Sequence, residues 1–460
     1  MSNWKSSLNK KEKSIEDAVR SLPRKAAVIM GMASMESQGF MSELHKYADH
    51  FEHLRIISCL NMQSYEFCEN PEYEGIFMNE NWFFGPSNRK AAKLGYNLVD
   101  FIPNNLHQAG TNKLDALKEE GVSIVYWGPS TAMREENGFF NLGLSNVYEL
   151  EAVEAADLVV MEVNKYVPWI HGDTQVHIRD VDMVVYYDAP IPSIPTLESA
   201  GVEKEIAVHI AELVEDGSTL QIGIGGIPNA VAALLGNKKN LGIHTEMFTE
   251  SMIDLFEKGA VNNSKKSLWP NKFVFTFALG SQRMYDWLDD NPAVLEMRGK
   301  YVNDPDVIAM NDNMVSINTA ITVDLAGQVC SESLGPVQYS GTGGQLDTHR
   351  GAQKAKNGKG IIALRSTAKK GTISTIVSTL PPGSAVTVPR QDLDWVATEF
   401  GTVHLRGRTL SERAEALISI AHPEFREQLT NEAIELGYIH SKARSLPNKE
   451  ASDSVVLRSK

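Results

Sequence analysis

Cysteine is scarce in this sequence: 460 residues contain three, Cys59, Cys68 and Cys330. No two of them stand at metal-ligand spacing, and an odd count builds no disulfide framework. A reducing compartment is therefore the simpler expectation. Positive charge is also short. Lys and Arg total 44 against 58 for Asp and Glu, a formal net charge of −14. Such a surface repels phosphate backbones, which argues against nucleic acid and anionic membranes as partners, although a local basic patch could still take an anionic ligand. No apolar run reaches the length of a membrane span. The stretch from Met1 to Lys25 is charged and lacks the apolar core of a signal peptide. These absences together read as a soluble cytoplasmic protein. P-loop and nucleophile-elbow patterns are missing as well. The 12 histidines are scattered without ligand spacing. His171, in His171-Gly172-Asp173, and His244 read as structural donors, so no metal site is expected.

What is present is ample core material. Hydrophobic residues make up 42% of the chain, enough for two ordinary domains. Residues 8–21 carry an amphipathic helix pattern. Strand-length apolar runs follow at Ala26–Gly31, Leu54–Leu60, Val122–Tyr126 and Leu158–Val163, with helical patterns at 39–49, 88–95, 112–120 and 147–156 between them. Strands alternating with helices predict an α/β domain with a mainly parallel sheet. Ala189-Pro190-Ile191-Pro192-Ser193-Ile194-Pro195-Thr196 holds three prolines and cannot be regular helix or central strand. The expected organisation is an N-terminal α/β domain over 1–189, a proline-rich linker over 190–196, and a C-terminal α/β domain over 197–460. In the second domain a helix is expected over 197–214 and a strand over 219–224. Further strands are expected at 273–278, 320–325, 361–365, 385–388 and 394–398, then helices over 410–438 broken near His422-Pro423.

Three glycine-rich or carboxylate-bearing turns hold the candidate chemistry. Gly223-Ile224-Gly225-Gly226-Ile227-Pro228 runs from a strand into a helix, so its N–H groups could receive a phosphate or a carbonyl. It is like a dinucleotide fingerprint, but Pro228 replaces the third glycine. A nicotinamide-dependent oxidoreductase is therefore disfavoured, and a purely structural turn serves equally. Gly242-Ile243-His244-Thr245-Glu246-Met247 ends a short apolar run with a carboxylate, which can attack a thioester carbonyl. A lone glutamate at such a place is more often a solvated strand end. Ser340-Gly341-Thr342-Gly343-Gly344-Gln345 can aim backbone N–H groups at one oxygen, as an oxyanion hole requires, or simply form a surface turn. Asp347 and Arg350 could pair behind it. Ser366-Thr367-Ala368-Lys369-Lys370-Gly371 offers hydroxyls and positive charge to a phosphate, or a solvated basic turn.

The combination resembles the acetyl-CoA hydrolase/transferase family, and within it the 4-hydroxybutyrate or butyrate:acetate CoA-transferases. The resemblance spans nearly the whole chain. It rests on Glu162-Val163-Asn164-Lys165-Tyr166, His171-Gly172-Asp173, the Gly223 turn, the Glu246 motif and Tyr301-Val302-Asn303-Asp304-Pro305. It continues through Met314-Val315-Ser316-Ile317-Asn318, Val323–Val329, the Gly341 turn, Arg350-Gly351-Ala352, Thr398-Glu399-Phe400-Gly401 and Ile420-Ala421-His422-Pro423. It implies two similar CoA-transferase-type α/β domains with the active site between them. It implies Glu246 as nucleophile, passing through a mixed anhydride to a glutamyl-CoA thioester. Gly223, Ile224, Gly225, Gly226, Ile227, Gly343 and Gly344 would contact CoA, with Lys369 and Asn318 also on the CoA side. Coenzyme A and acyl-CoA would be substrates, with no tightly bound cofactor. The partners would be acyl-CoA and a short-chain carboxylate such as acetate, and the assembly a homodimer. A hydrolase on the same scaffold and a non-catalytic acyl-CoA-binding protein remain the alternatives. Phe248-Thr249-Glu250-Ser251 and Thr348 depart from the family pattern, which leaves the acyl group open.

Overall fold

Two separate sheets organise the computed structural model, which describes residues 4–195, 199 and 201–440. The first is seven-stranded and uses β1 (Lys25–Met30), β2 (His53–Ser58), β3 (Phe77–Asn81), β4 (Val99–Phe101), β5 (Ile124–Ser130), β6 (Leu158–Val163) and β7 (Met183–Tyr186). Its order is β4-β3-β2-β1-β5-β6-β7, parallel throughout. Every residue of β5 is buried, as are all but the first of β1 and of β6. A parallel sheet covered on both faces requires such continuous apolar runs.

The second sheet has six strands: β8 (Thr219–Ile222), β9 (Gly242–Ile243), β10 (Met314–Thr319), β11 (Lys359–Ala363), β12 (Trp395–Thr398) and β13 (Gly401–His404). The order is β9-β8-β10-β11-β12-β13, parallel except for the last pair. The architecture is thus α/β with mainly parallel sheets. In both sheets the strand order reverses once, between β1 and β5 and between β8 and β10. Open parallel sheets form a ligand crevice at the carboxyl ends of the strands flanking such a reversal.

The hydrophobic cores do not respect the division into sheets. One cluster around β1 and β5 also takes in Met247, Phe277 and Leu279 from the second half. Another, around β8 and β10, takes in Met35, Leu144, Val167 and Ile170 from the first. Backbone hydrogen bonds join the same seam: Asn146 N–H to Thr276 O, Ala278 N–H to Leu144 O, and Asp173 N–H to Glu296 O.

Several local expectations shift. The helix expected over 8–21 is two helices, Trp4–Lys11 and Ile15–Arg20. Ser14 accepts at 3.0 Å from the N–H of Asp17 and so starts the second as an N-cap. The stretch expected over 112–120 is Ala109–Glu120, ended by Gly121 at φ +69. The run at 273–278 splits into Phe273–Phe275 and Phe277–Ala278. No strand forms over 385–388; Val388 makes only an isolated bridge to Val329. Ala189–Pro195 has neither helix nor strand, but it is tied down: Tyr285 Oη donates to Pro192 O at 2.7 Å and Ile194 N–H to Gly280 O at 3.0 Å. Thr196 of the expected linker, and residues 197, 198 and 200 of the helix expected over 197–214, lie outside the described residues. That helix is described as Gly201–Leu213. Among the described residues no helix is long and apolar enough to cross a membrane.

Candidate active site

The reversal point of the second sheet and the carboxyl ends of β1 and β2 in the first open onto one cavity of about 500 Å³. From the first sheet come Met32, just past β1, and Leu60, Asn61 and Met62, just past β2. From the second come Gly223 and Ile224, past β8, and Asn318 and Thr319, at the end of β10. Glu246 and the run from Ser340 to Gln345 complete the wall. The sequence places none of these segments close to one another; the two topologies do.

Glu246 sits three residues beyond β9, at a bend. Its backbone carbonyl accepts from the N–H groups of Thr276 at 3.0 Å and Phe277 at 3.2 Å, which fixes the bend. Its side chain is partly buried. Asn303 Nδ2 donates to Oε2 at 2.7 Å, and the Gly344 backbone amide lies against the carboxylate and favours its charged form. Burial pushes the carboxyl up to about 7; the donors Asn303 and Gly344 oppose that shift, and the nearby charge of Asp347 adds to it. A partly desolvated carboxylate that is still ionisable near neutrality is a competent nucleophile.

Gly344 is where a side chain is impossible. A Cβ there would overlap Glu246 Oε2 and Asn303 Nδ2. Gly343 adopts φ +54, which favours glycine, and its Cβ position lies 3.6 Å from Glu246 Oε1. These two glycines thus allow the backbone to approach the carboxylate.

The expected site residues divide. Glu246, Gly223, Ile224, Asn318, Gly343 and Gly344 meet at the cavity. Asn318 Nδ2 also donates to Ser316 Oγ at 3.0 Å, Thr348 Oγ1 at 3.1 Å and Gln221 Oε1 at 3.2 Å. Thr348, a departure from the family pattern, is thus a member of this polar network. Gly225, Gly226 and Ile227 do not line the cavity. Gly225 turns the chain at φ +128, and Gly226 opens the helix Gly226–Leu234. A Cβ on Gly226 would overlap the carboxylate of Glu203, which also pairs with Arg365. The positive end of that helix therefore already faces an anion of the protein itself. Lys369 stands on an exposed turn at φ +46, outside the cavity lining.

The Asp347–Arg350 pair is corrected. Arg350 Nη2 bonds Asp392 Oδ2 at 2.9 Å, while buried Asp347 bonds His107 of the first half at 2.7 Å. His171 bonds Asp290 at 3.0 Å, and His244 Nε2 bonds Val302 O at 2.9 Å, consistent with structural roles. Sequence reasoning missed the contributions of Asn303 and His107. Asn303 stands in a motif singled out by the resemblance, but nothing in its spacing joins it to Glu246.

Comparison with known proteins bears on the family of the chain. The family model of the acetyl-CoA hydrolase/transferase N-terminal domain matches residues 2–195, and that of the C-terminal domain matches residues 280–433. Glu246 and the Gly223 turn fall between the two matched spans. The 4-hydroxybutyrate coenzyme A transferase of Clostridium kluyveri is 41% identical over 432 residues, covering 93% of this chain and 98% of that protein. The succinyl-CoA:cyclohexane-1-carboxylate CoA transferase of Geobacter metallireducens is 46% identical over 352 residues, covering 76% of this chain and 79% of that protein. Among solved structures, RipA from Yersinia pestis superposes with a TM-score of 0.88 at 34% identity, covering 95% of this chain and 100% of that one. With two domain models in register and relatives aligned along nearly its full length, the chain belongs to the acetyl-CoA hydrolase/transferase family.

Proposed function

We propose that the chain is a CoA-transferase, exchanging CoA between a short-chain acyl-CoA and a small carboxylate such as acetate, with Glu246 as its nucleophile. One observation carries this reading: a partly desolvated carboxylate, its pKa raised to about 7, is held by Asn303 and Gly344 on the wall of a cavity that both halves of the chain line.

The chemistry follows from what that carboxylate can do. Glu246 adds to the thioester carbonyl, the C–S bond breaks, and CoA leaves as thiolate with a glutamyl–acyl anhydride behind it. The thiolate then adds to the glutamyl carbonyl, the anhydride C–O bond breaks, and the acyl group departs as a free carboxylate. The product is a glutamyl-CoA thioester. An incoming acid reverses both steps. Each addition places negative charge on a carbonyl oxygen, and the Gly343 N–H is the proposed donor to it; one such donor contributes about 2.7–4 kcal/mol. Gly223, Ile224, Gly225, Gly226, Ile227, Asn318, Gly344 and Lys369 are carried forward as proposed CoA contacts. Gly223, Ile224, Asn318 and Gly344 have the stronger support because they line the cavity.

Met32, Leu60, Met62, Phe83 and Leu106 give the cavity an apolar side that suits a short acyl chain. We take 4-hydroxybutyryl or butyryl as that group, in line with the names of several relatives, while the Geobacter metallireducens relative is named for succinyl-CoA and a cyclic carboxylate. The proposal includes a cytoplasmic homodimer, with domains over 1–189 and 197–460 joined by 190–196.

The decisive experiment is intact-protein and peptide mass spectrometry after incubation with acyl-CoA and borohydride. Reductive modification at Glu246 supports the thioester; modification elsewhere, or none, overturns it. A hydrolase releases thiol without an acceptor acid, so thiol release with and without acetate separates the two activities. A non-catalytic acyl-CoA binder gives no adduct.

A further inference from the structure

A side chain of the first half reaches behind the nucleophile. His107 is the middle residue of the short 3₁₀ turn Leu106–Gln108, and Leu106 lines the cavity. The His107 N–H donates to Asp347 Oδ2 at 3.0 Å, and His107 Nδ1 bonds Asp347 Oδ1 at 2.7 Å. One residue thus satisfies both oxygens of a carboxylate that is 1% exposed. Next to it, the Leu106 N–H donates to the carbonyl of Gly343 at 3.1 Å. Asp347 lies in the first turn of the helix Gln345–Lys354, whose N-cap is Gly344. That is the glycine packed against Glu246.

We propose that His107 is a positioning residue: through Asp347 it seats the Gly343–Gly344 turn against Glu246 and balances the negative charge behind the nucleophile. The inference rests on the reading of Glu246 as nucleophile.

His107 grips Asp347 at both carboxylate oxygens. The Gly343–Gly344 turn has no side chain with which to anchor itself. Its position relative to Glu246 is set by the helix that follows and by what holds that helix. Asp347 and the Gly343 carbonyl are both fastened to consecutive residues, 106 and 107, of the other half. A displacement of about 1 Å at a reacting group can cost on the order of 100-fold in rate.

His107 faces Asp347 and Arg350 from the helix Gln345–Lys354 and Asp304 from the segment after Asn303, and it shares a cleft with Lys354, Asp392 and Arg406. Arg350 is itself paired with Asp392. The hydrogen bond to Asp347 holds the His107 imidazolium above its ordinary range, with the charge of Asp304 adding and burial and Arg350 opposing. The imidazolium form therefore persists to higher pH than in a free histidine. Asp347 is among the groups that push Glu246 up. A cation on His107 offsets that push; its loss leaves Asp347 uncompensated and makes Glu246 harder to ionise.

Two variants separate the hydrogen bond from the charge. His107→Asn keeps a donor near the Nδ1 position and removes the charge. His107→Ala removes both. The measurement is the pH profile of kcat/KM for CoA exchange, with kcat and KM resolved separately and with thermal unfolding of each variant. The acidic limb is expected to move to higher pH in both variants, by roughly half a unit from the lost charge at an effective dielectric typical of such sites. Plateau kcat is expected to fall about tenfold in His107→Ala, from the lost hydrogen bond, and by less in His107→Asn. A purely structural histidine would lower the unfolding temperature without moving the limb, and that result overturns the inference. If borohydride trapping labels Glu246 in the wild-type protein while both variants keep its profile and plateau, this inference alone fails. If trapping never labels Glu246, the nucleophile reading fails and this inference falls with it.

Discussion

Asn303 and Glu246 are 57 residues apart in sequence and 2.7 Å apart at Nδ2 and Oε2. Asn303 is fully buried, and the preceding carbonyl, Val302 O, accepts from His244 Nε2 at 2.9 Å. His244 therefore carries its proton on Nε2 and pins the strand end that bears the nucleophile to the segment that orients it. Burial and the charge of Lys266 lower His244 to about 3, so it stays neutral and the pin holds throughout the working pH range. Replacing Asn303 with Ala removes a hydrogen bond to a charged group. The expected loss in kcat/KM is about 10- to 100-fold, with the acidic limb moved to higher pH because a donor to the carboxylate is gone. Steady-state kinetics at several pH values tests this; an unchanged limb would place Asn303 outside the chemistry.

Glu246 itself admits a sharper test. Glu246→Ala should remove exchange by at least about a thousandfold, as expected when a covalent nucleophile is deleted, and should leave acyl-CoA binding measurable by calorimetry. Glu246→Asp retains the charge but withdraws it by one methylene, and a loss on the order of 100-fold is expected. Turnover by the alanine variant near the wild-type rate refutes the assigned role.

Gly344→Ala probes the close approach of backbone and carboxylate. The residue has φ −99, so alanine meets no backbone strain there; the whole effect comes from overlap with Glu246 and Asn303. Activity should drop by about 100-fold or more while secondary structure by circular dichroism is kept. Gly407→Ala is the control for a glycine with positive φ in open space, at φ +76 with nothing within 4 Å of its Cβ position, and should alter stability rather than turnover.

The pH dependence of the reaction has a defined sign. The nucleophile is the carboxylate, and its pKa is raised to about 7 by burial. kcat/KM should therefore rise with pH across neutrality and level off above it. A profile already flat between pH 5 and 8 would contradict the burial of the reacting carboxyl.

A different carboxyl governs stability. Glu296 is fully buried, neither oxygen has a partner among the described residues, and burial holds its pKa well above the usual carboxylate range. A carboxyl raised on folding is stabilising while protonated, and that stability is lost as pH rises above its unfolded value of about 4.3. Glu296→Gln removes the ionisation. Its unfolding temperature should fall less than that of the wild type between pH 5 and 8, as read by scanning calorimetry.

Much of the fold was legible because parallel strands buried on both faces must be apolar runs. β1, β5 and β6 announce themselves that way, and Gly121 marks the end of its helix. Glu246 was legible through its motif, and the Gly343–Gly344 turn through its density of glycine. What stayed hidden depends on distance. His107 meets Asp347 across 240 residues, so Arg350, three positions away, is the partner a local reading offers. The Gly223 turn was legible only in part: a strand–glycine–helix junction advertises an anion site, but nothing in the sequence shows that Glu203, twenty-three residues upstream, stands over Gly226. The run at 385–388 has strand-like residues but no neighbour to pair with beyond one bridge at Val388.

Met247, Phe277 and Leu279 complete the oily underside of a sheet they do not belong to. Severing the chain near Pro190 would leave the first fragment with an unfinished, sticky surface, prone to clump rather than stand alone. Because Met247 is the immediate neighbour of Glu246, the fastening between the halves and the reactive carboxylate share one short piece of chain. Heat or denaturant that opens that fastening should end catalysis at the same moment.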